Sequence, residues 1–233
     1  WDAETGIEIA TLPYEDKDVA ESCSYSPDGS HIVATFYNAL RVWDTESYAL
    51  HAILSGPSDC YAYSPDGSRI VSASVDNTLK VLDIENGIEI TTFTGHSARI
   101  TSCAYSPDGK CIVSASGYDT LKVWDAKRIA EVMTLRGHDR GVLSVAFSPD
   151  GGRVVAGGPD RTLKGWAAKS GTELMTLRGH EEGVRSVTFS PDGMRIVSGS
   201  MDETIKVWDA NNGNEMMTLR GHEGGVLSVA FSP

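Results

Sequence analysis

An all-β fold, assembled from one four-stranded unit repeated along the chain, is what the amino-acid sequence predicts. Three observations carry this expectation. Landmark residues return at a near-constant interval, each interval holds four short strand signals, and no window long enough for a helix has apolar residues at helical spacing.

The interval is 42 residues. Ser-Pro-Asp-Gly begins at Ser26, Ser64, Ser106, Ser148 and Ser190, with Ser232-Pro233 opening a sixth copy, at spacings of 38 and then 42 throughout. A tryptophan position follows the same rule at Trp1, Trp43, Trp124, Trp166 and Trp208, with Leu82 in one copy. The clearest copy places its strands at Val184–Phe189, Arg195–Ser198, Thr204–Trp208 and Glu215–Leu219. Pro-Asp-Gly separates the first two, because proline pre-sets φ and glycine accepts a positive φ. Turns at Met201–Glu203 and Asn211-Asn212-Gly213 separate the rest. Four short strands in about 40–45 residues are the pattern of one propeller blade. Complete blades are expected at about 13–54, 55–93, 94–135, 136–177 and 178–219. Residues 1–12 are expected to add the end of a third strand and a fourth, and 220–233 a lone first strand, giving a partial blade of a ring of six or seven. A second copy of the chain filling that blade is one way to complete the ring, since a propeller protects its edges by closing on itself.

Composition narrows the function classes. Acidic residues outnumber basic ones, 32 to 20, for a formal charge of −12. A nucleic-acid binder wants a basic face, so no nucleic acid is expected. No apolar run is long enough to span a membrane, and no signal-peptide pattern opens the chain. Cys23, Cys60, Cys103 and Cys111 form no metal-binding spacing. Cys23 and Cys103 stand where Val145 and Val187 do, so both are expected as small core residues. Reduced thiols fit a cytoplasmic protein.

The recurring Gly-His pairs (95–96, 137–138, 179–180, 221–222) and Trp-Asp pairs (1–2, 43–44, 124–125, 208–209) resemble those of the WD-repeat β-propeller family, over essentially the whole chain. The uniform copies, TLRGH three times and VAFSP twice, are also similar to the propellers that end large fungal and bacterial signalling NTPases. The resemblance implies a non-enzymatic scaffold without cofactors, binding protein or peptide partners. It also implies a structural network in which His bridges Asp and Ser, and Ser reaches the Trp indole. His180, Ser198, Asp202 and Trp208 are a full set. His138, Asp160 and Trp166 lack the serine (Ala156), while His96, Ser114 and Trp124 have Tyr118 at the Asp position and Asp119 one residue late. The second copy keeps Ser72 and Asp76 but has Pro57 for His and Leu82 for Trp. The first lacks both His and Asp. A repeated Ser-His-Asp set is not a hydrolase signature, which needs one exposed nucleophile beside an oxyanion site.

Other patterns are bland. Asp209, Asn211 and Gly213 lack the remaining ligands of a calcium loop, so no metal is expected. Gly157-Gly158 and Gly224-Gly225 lack the strand-to-helix setting of a phosphate cradle. Arg136, Arg178 and Arg220 beside Gly-His are expected as solvated strand ends opposite acidic neighbours. Partner binding is expected where the copies differ, because loops on a rigid frame carry recognition. By the resemblance these are the turn after Gly-His and the turn between second and third strands. They include Asp16-Lys17-Asp18 and Ser58-Asp59, and the candidates are Phe36, Tyr37, Val75, Arg99, Tyr118, Arg140, Pro159, Glu182 and Met201. The alternative function is a propeller lectin binding carbohydrate in repeated pockets between blades, which would need the same polar and aromatic pocket in each copy.

Overall fold

A computed structural model describes residues 4–12, 19–36, 39–55, 60–118 and 120–232. The described residues contain strands and no helix, so no helix is long and apolar enough to cross a membrane. The first sheet comprises β1 (Ala20–Tyr25), β2 (His31–Phe36), β3 (Ala39–Asp44) and β4 (Leu50–Ser55). The second comprises β5 (Tyr61–Tyr63), β6 (Arg69–Ala73), β7 (Leu79–Asp83) and β8 (Ile88–Phe93). The third has β9 (Ile100–Tyr105), β10 (Cys111–Ser116), β11 (Thr120–Asp125) and β12 (Ala130–Arg136). The fourth has β13 (Ser144–Phe147), β14 (Arg153–Gly157), β15 (Thr162–Ala167) and β16 (Glu173–Arg178). The fifth has β17 (Val184–Phe189), β18 (Arg195–Ser200), β19 (Ile205–Asp209) and β20 (Glu215–Leu219). Each sheet is an antiparallel meander in chain order, and the expected bounds of β17 and β20 coincide with the observed ones.

Turn chemistry sets the meander. In every Ser-Pro-Asp-Gly turn the aspartate accepts the serine hydroxyl, as in Ser190 Oγ to Asp192 Oδ1 at 2.5 Å, and the serine oxygen accepts the amide that begins the second strand. Asp44, Asp83, Asp125 and Asp209, each following the Trp position, accept turn amides between the third and fourth strands, for example Asn211 N–H at 2.8 Å. The left-handed residue of that turn is Gly87, Gly171 or Gly213 in three blades, but Tyr48 and Ile129 occupy it in the first and third.

Antiparallel order puts two turns at each end of a sheet. The Pro-Asp-Gly and Trp-Asp turns share one face of the molecule, and the Gly-His loops share the other with the turns between second and third strands. The middle strands are buried on both faces, as in β10 and β18, whereas the outermost strands β12 and β20 are largely exposed. The core therefore lies between sheets. Val71, Leu79, Val81 and Phe93 of the second interlock with Ile100, Ile112 and Trp124 of the third, and the same layering recurs between the following pairs. First strands are also stitched sideways. Ser102 Oγ accepts Val145 N–H at 3.2 Å, Ser144 Oγ accepts Val187 N–H at 3.1 Å, and Ser186 Oγ accepts Val229 N–H at 3.1 Å. Five blades of this kind form the β-propeller architecture expected from the repeats.

Two expectations are corrected. No strand is formed by the described residues of 1–12 or 220–233, because a ladder needs a paired neighbour and none is described beside them. Residues 221–232 nonetheless dock against the fifth sheet, with Val226 buried and its amide bonded to Ser200 O at 2.8 Å. Cys103 is buried as expected, but Cys23 is exposed. Its counterparts in β9, β13 and β17 are covered by the preceding blade, and no described residue covers β1 in that way.

Candidate functional site

Each Gly-His loop enters its blade through a backbone that only glycine takes readily, with φ of 142° at Gly95, 146° at Gly137 and 153° at Gly179. Space is short as well. A Cβ on Gly137 would stand 3.0 Å from Glu173 Oε2 and 3.2 Å from Lys164 Cδ. The loop drops the following histidine onto the tryptophan of the same blade, ring centroids 6.0 Å apart for His180 and Trp208.

In the fifth blade the network is complete. His180 Nδ1–H donates to Asp202 Oδ2 at 2.8 Å, which leaves Nε2 to accept the Ser198 hydroxyl at 2.8 Å. Trp208 Nε1–H donates to the same Ser198 oxygen at 2.9 Å. Asp202 also accepts Thr204 Oγ1–H at 2.6 Å and Glu181 N–H at 2.9 Å. Burial alone would raise the Asp202 carboxyl, but the bonds from Thr204, Glu181 and His180 outweigh it and hold the group well below the usual carboxylate range. His180 is pushed down by burial, which the bond and charge of Asp202 only partly oppose. Ser198 is 0 % exposed, so a substrate has no path to its oxygen; the set is a clamp inside the blade.

Departures from the full set leave identifiable orphans. His138 keeps its bond to Asp160 at 2.8 Å, but Ala156 offers nothing to His138 Nε2, which is buried without a partner. His96 Nε2 meets Ser114 Oγ at 2.6 Å and Trp124 Nε1–H donates to that oxygen at 2.8 Å, yet His96 Nδ1 is buried and unpaired because Tyr118 stands at the Asp position. Burial, reinforced by the Lys122 charge, pushes His96 down to about 4. Trp43 Nε1 is likewise unpaired, since Ala34 occupies the serine position of β2. In the second blade Asp76 caps its own turn through Thr78 at 2.6 Å. Trp1, Asp2, Pro57 and Asp119 lie outside the described residues.

A second repeated network was not foreseen. Lys206 Nζ bonds Glu215 at 2.8 Å and Thr218 at 2.8 Å, tying β19 to β20, and Lys80, Lys122 and Lys164 pair with Glu89, Glu131 and Glu173. Its signal was legible as a lysine at the same register in four copies, with Glu and Thr at fixed offsets.

Of the candidate partner-binding residues, Tyr118 is 69 % exposed, and Val75, Met201, Arg99, Arg140 and Glu182 are also exposed. Pro159 is half-buried, with its Cα near Gly183. Phe36 is corrected: it is 2 % exposed, edge-on to Trp43 at 6.2 Å and beneath the Arg41 guanidinium at 4.5 Å. Register explains this, for Phe36 aligns with Ser116 and Ser200, whose side chains point inward. Tyr37, Asp16-Lys17-Asp18 and Ser58-Asp59 lie outside the described residues. The candidate loops touch from blade to blade. Val142 N–H bonds Ser116 O at 3.0 Å, Val184 N–H bonds Gly158 O at 3.0 Å, and Val226 N–H bonds Ser200 O at 2.8 Å. Near the axis a cavity of about 670 Å³ is lined by Arg99, Thr101, Leu143, Arg185 and Leu227 with Ser22 and Thr35. Arg136, Arg178 and Arg220 are exposed, and no described carboxylate pairs with them. The described residues contain no cluster able to hold a metal ion.

The sequence profile of the WD40 family (WD domain, G-beta repeat) matches residues 50–83, 87–125, 130–167, 171–209 and 213–233. That is most of the chain, and each of the first four matched stretches runs from the fourth strand of one blade to the third strand of the next. The chain belongs to the WD40 family.

Proposed function

We propose that this chain is a non-enzymatic platform that binds protein or peptide partners through the Gly-His face. One observation carries the reading. Frame bonds repeat from blade to blade while the loops between them carry different residues each time: Val75, Gly117-Tyr118, Pro159 and Met201 in one turn, Ser97-Ala98-Arg99, Asp139-Arg140 and Glu181-Glu182 in the other. A rigid frame displaying dissimilar side chains loses little ordering entropy on binding and reads an extended partner. Aromatic and arginine anchors such as Tyr118 and Arg140 suit that role. Asp139, Glu181, Glu182 and Glu223 give the face an acidic bias, which favours basic partner segments. The uniformity of the copies also favours a place at the sensing end of a larger signalling protein.

Peptide-display selection against the purified chain tests this. Binding of the selected peptides is expected to weaken about tenfold or more in Tyr118→Ala and Met201→Ala. It is expected to weaken with added salt and to be indifferent to Lys127→Ala on the opposite face. Selected peptides insensitive to both loop substitutions would count against it, and binding of a defined sugar on a glycan array would favour the lectin. Cavities between blades recur at equivalent places but differ in key side chains, His31 and His51 in one against Cys111 and Phe147 in another, which is poor support for a repeated sugar pocket.

A further inference from the structure

On the Pro-Asp-Gly face, consecutive blades form a slot whose walls recur. The second strand of each blade begins with one residue at this slot: His31, Arg69, Cys111, Arg153 or Arg195. Across from it the next blade supplies an aromatic at the end of its first strand, the turn glycine, and the residue after the Trp-Asp position.

Between the fourth and fifth blades the chain fills this slot itself. The Arg153 guanidinium lies over the Phe189 ring, 5.3 Å from its centroid. It donates through Nη1 to Ala210 O at 2.5 Å and through Nη2 to Gly193 O at 2.9 Å. Between the second and third blades, Arg69 lies close enough to Tyr105 to oppose the rise of its hydroxyl pKa, a rise that comes chiefly from burial. Between the first and second, His31 is too short to cross. There His51 Nε2–H donates instead to Ile84 O at 2.6 Å, the carbonyl equivalent to that of Ala210.

The slot between the third and fourth blades differs. Cys111 stands where the arginine would, and a cavity of about 470 Å³ opens beside it. Its lining includes Phe147, Gly151 and Ala168, which lie 42 residues before Phe189, Gly193 and Ala210, the three partners of Arg153. Among the described side chains none donates to the Ala168 or Gly151 carbonyl. The carboxylates of Asp108 and Asp150 line the same space with the Lys169 ammonium, and Asp108 is also paired with Lys110 at 2.9 Å. The Cys111 thiol is pushed up by burial, with Asp108 and Asp125 adding to it, so it is a neutral wall at ordinary pH.

We propose that this slot binds an arginine side chain presented by a polypeptide partner. The guanidinium takes the place that Arg153 occupies one blade on, stacked on Phe147 and donating to the Ala168 and Gly151 carbonyls. The chemistry selects arginine over lysine, because a planar fork satisfies two fixed carbonyls and an aromatic face together, and a point-like, strongly hydrated ammonium does not. Only the polypeptide source rests on the scaffold reading; the slot lies on the face opposite the loops proposed above.

The test is titration of the full isotope-labelled chain, followed by amide resonances, with N-acetyl-arginine amide, its lysine counterpart, and a short glycine peptide containing one arginine. Arginine amide is expected to shift the Phe147, Gly151 and Ala168 signals and to bind about tenfold or more tightly than lysine amide. Cys111→Arg is expected to fill the slot from within, abolish that binding and raise the melting temperature. Equal binding of the two amides, or arginine binding that survives Cys111→Arg, overturns the proposal. Should that variant fail to fold, alkylation of the parent decides: arginine amide is expected to slow modification of Cys111 and leave exposed Cys23 unaffected. Absence of such protection overturns the slot. Arginine amide binding with no binding of the peptide overturns the polypeptide source alone. Peptides selected on the Gly-His face that still bind Cys111→Arg leave the scaffold reading standing whichever way the slot falls.

Discussion

Blade 5 and blade 1 are the same four-stranded meander held together by different forces. Blade 5 joins His180, Asp202, Ser198 and Trp208 in one buried chain of hydrogen bonds and adds Lys206 with Glu215 across its outer strands. Among its described residues blade 1 shows neither network. Trp43 is wedged edge-on against Phe36, whose ring lies under Arg41, and the Trp43 indole N–H has no acceptor. The backbone is indifferent to the change. A blade therefore needs only its turn chemistry and its two-sided apolar middle strands, while the polar clamp fixes the Gly-His loop onto it. Blades 3 and 4 sit between these extremes, each missing one link of the clamp.

The largest effect expected from disturbing this contrast is in blade 5. Ser198→Ala removes the shared partner of His180 and Trp208, leaving two buried polar groups unpaired, and should cost about 4 kcal/mol. Denaturant unfolding measures it; a loss below about 1 kcal/mol would mean the clamp contributes little.

Acid should act on the incomplete clamps. His96 is neutral in the fold, with its pKa depressed to about 4 from the ordinary 6.5. Below pH 6.5 the unfolded chain binds a proton that the folded chain refuses, so stability present at neutral pH is lost as pH falls from 6.5 to 4 and then levels off for this group. The loss from His96 should be on the order of 3 kcal/mol. His180 shifts the same way, with Asp202 opposing, and adds to the slope. Melting curves across that window should fall less steeply for His96→Gln than for the parent; parallel curves would remove His96 from the explanation.

Repairing a clamp should give a smaller gain. Ala156→Ser in blade 4 supplies the hydroxyl donor that His138 Nε2 lacks, at a position where blades 3 and 5 already hold a buried serine. It should stabilise by about 1 kcal/mol, read as a higher denaturation midpoint. The smallest change concerns turns. Ile129 holds φ of 57°, where a β-branched side chain is strained and blades 2, 4 and 5 use glycine. Ile129→Gly should raise stability by about 0.5 kcal/mol, strain relief being partly offset by the entropy of the unfolded chain. A loss instead would show that the exposed isoleucine makes contacts worth more than its strain.

Much of this was legible without coordinates. The strand ends of β17 and β20, the members of the His180 network and the vacancy left by Ala156 all follow from a single aligned register. Failures came where a side chain's fate depends on a neighbour the register does not name. Phe36 sits beside a turn in register with Ser116 and Ser200, and that this position packs inward, here against Trp43 and Arg41, is seen only in the structure. Cys23 has the sequence position of a core residue, but burial there is conferred by the adjacent blade. The slot at Cys111 needed both kinds of knowledge. Sequence aligned Cys111 with Arg153, and the structure disclosed what Arg153 touches.

By itself the sequence determined the period, the meander and the chemistry of each turn, because these depend on residues within one unit and on alternation along one strand. Tertiary structure decided which polar groups close a bond, which are left orphaned, and where a slot between blades stands open. Clamp bonds join side chains 10 to 22 residues apart on different strands of one unit, and slot contacts join groups 40 or more apart in neighbouring units; alternation along one strand specifies neither distance.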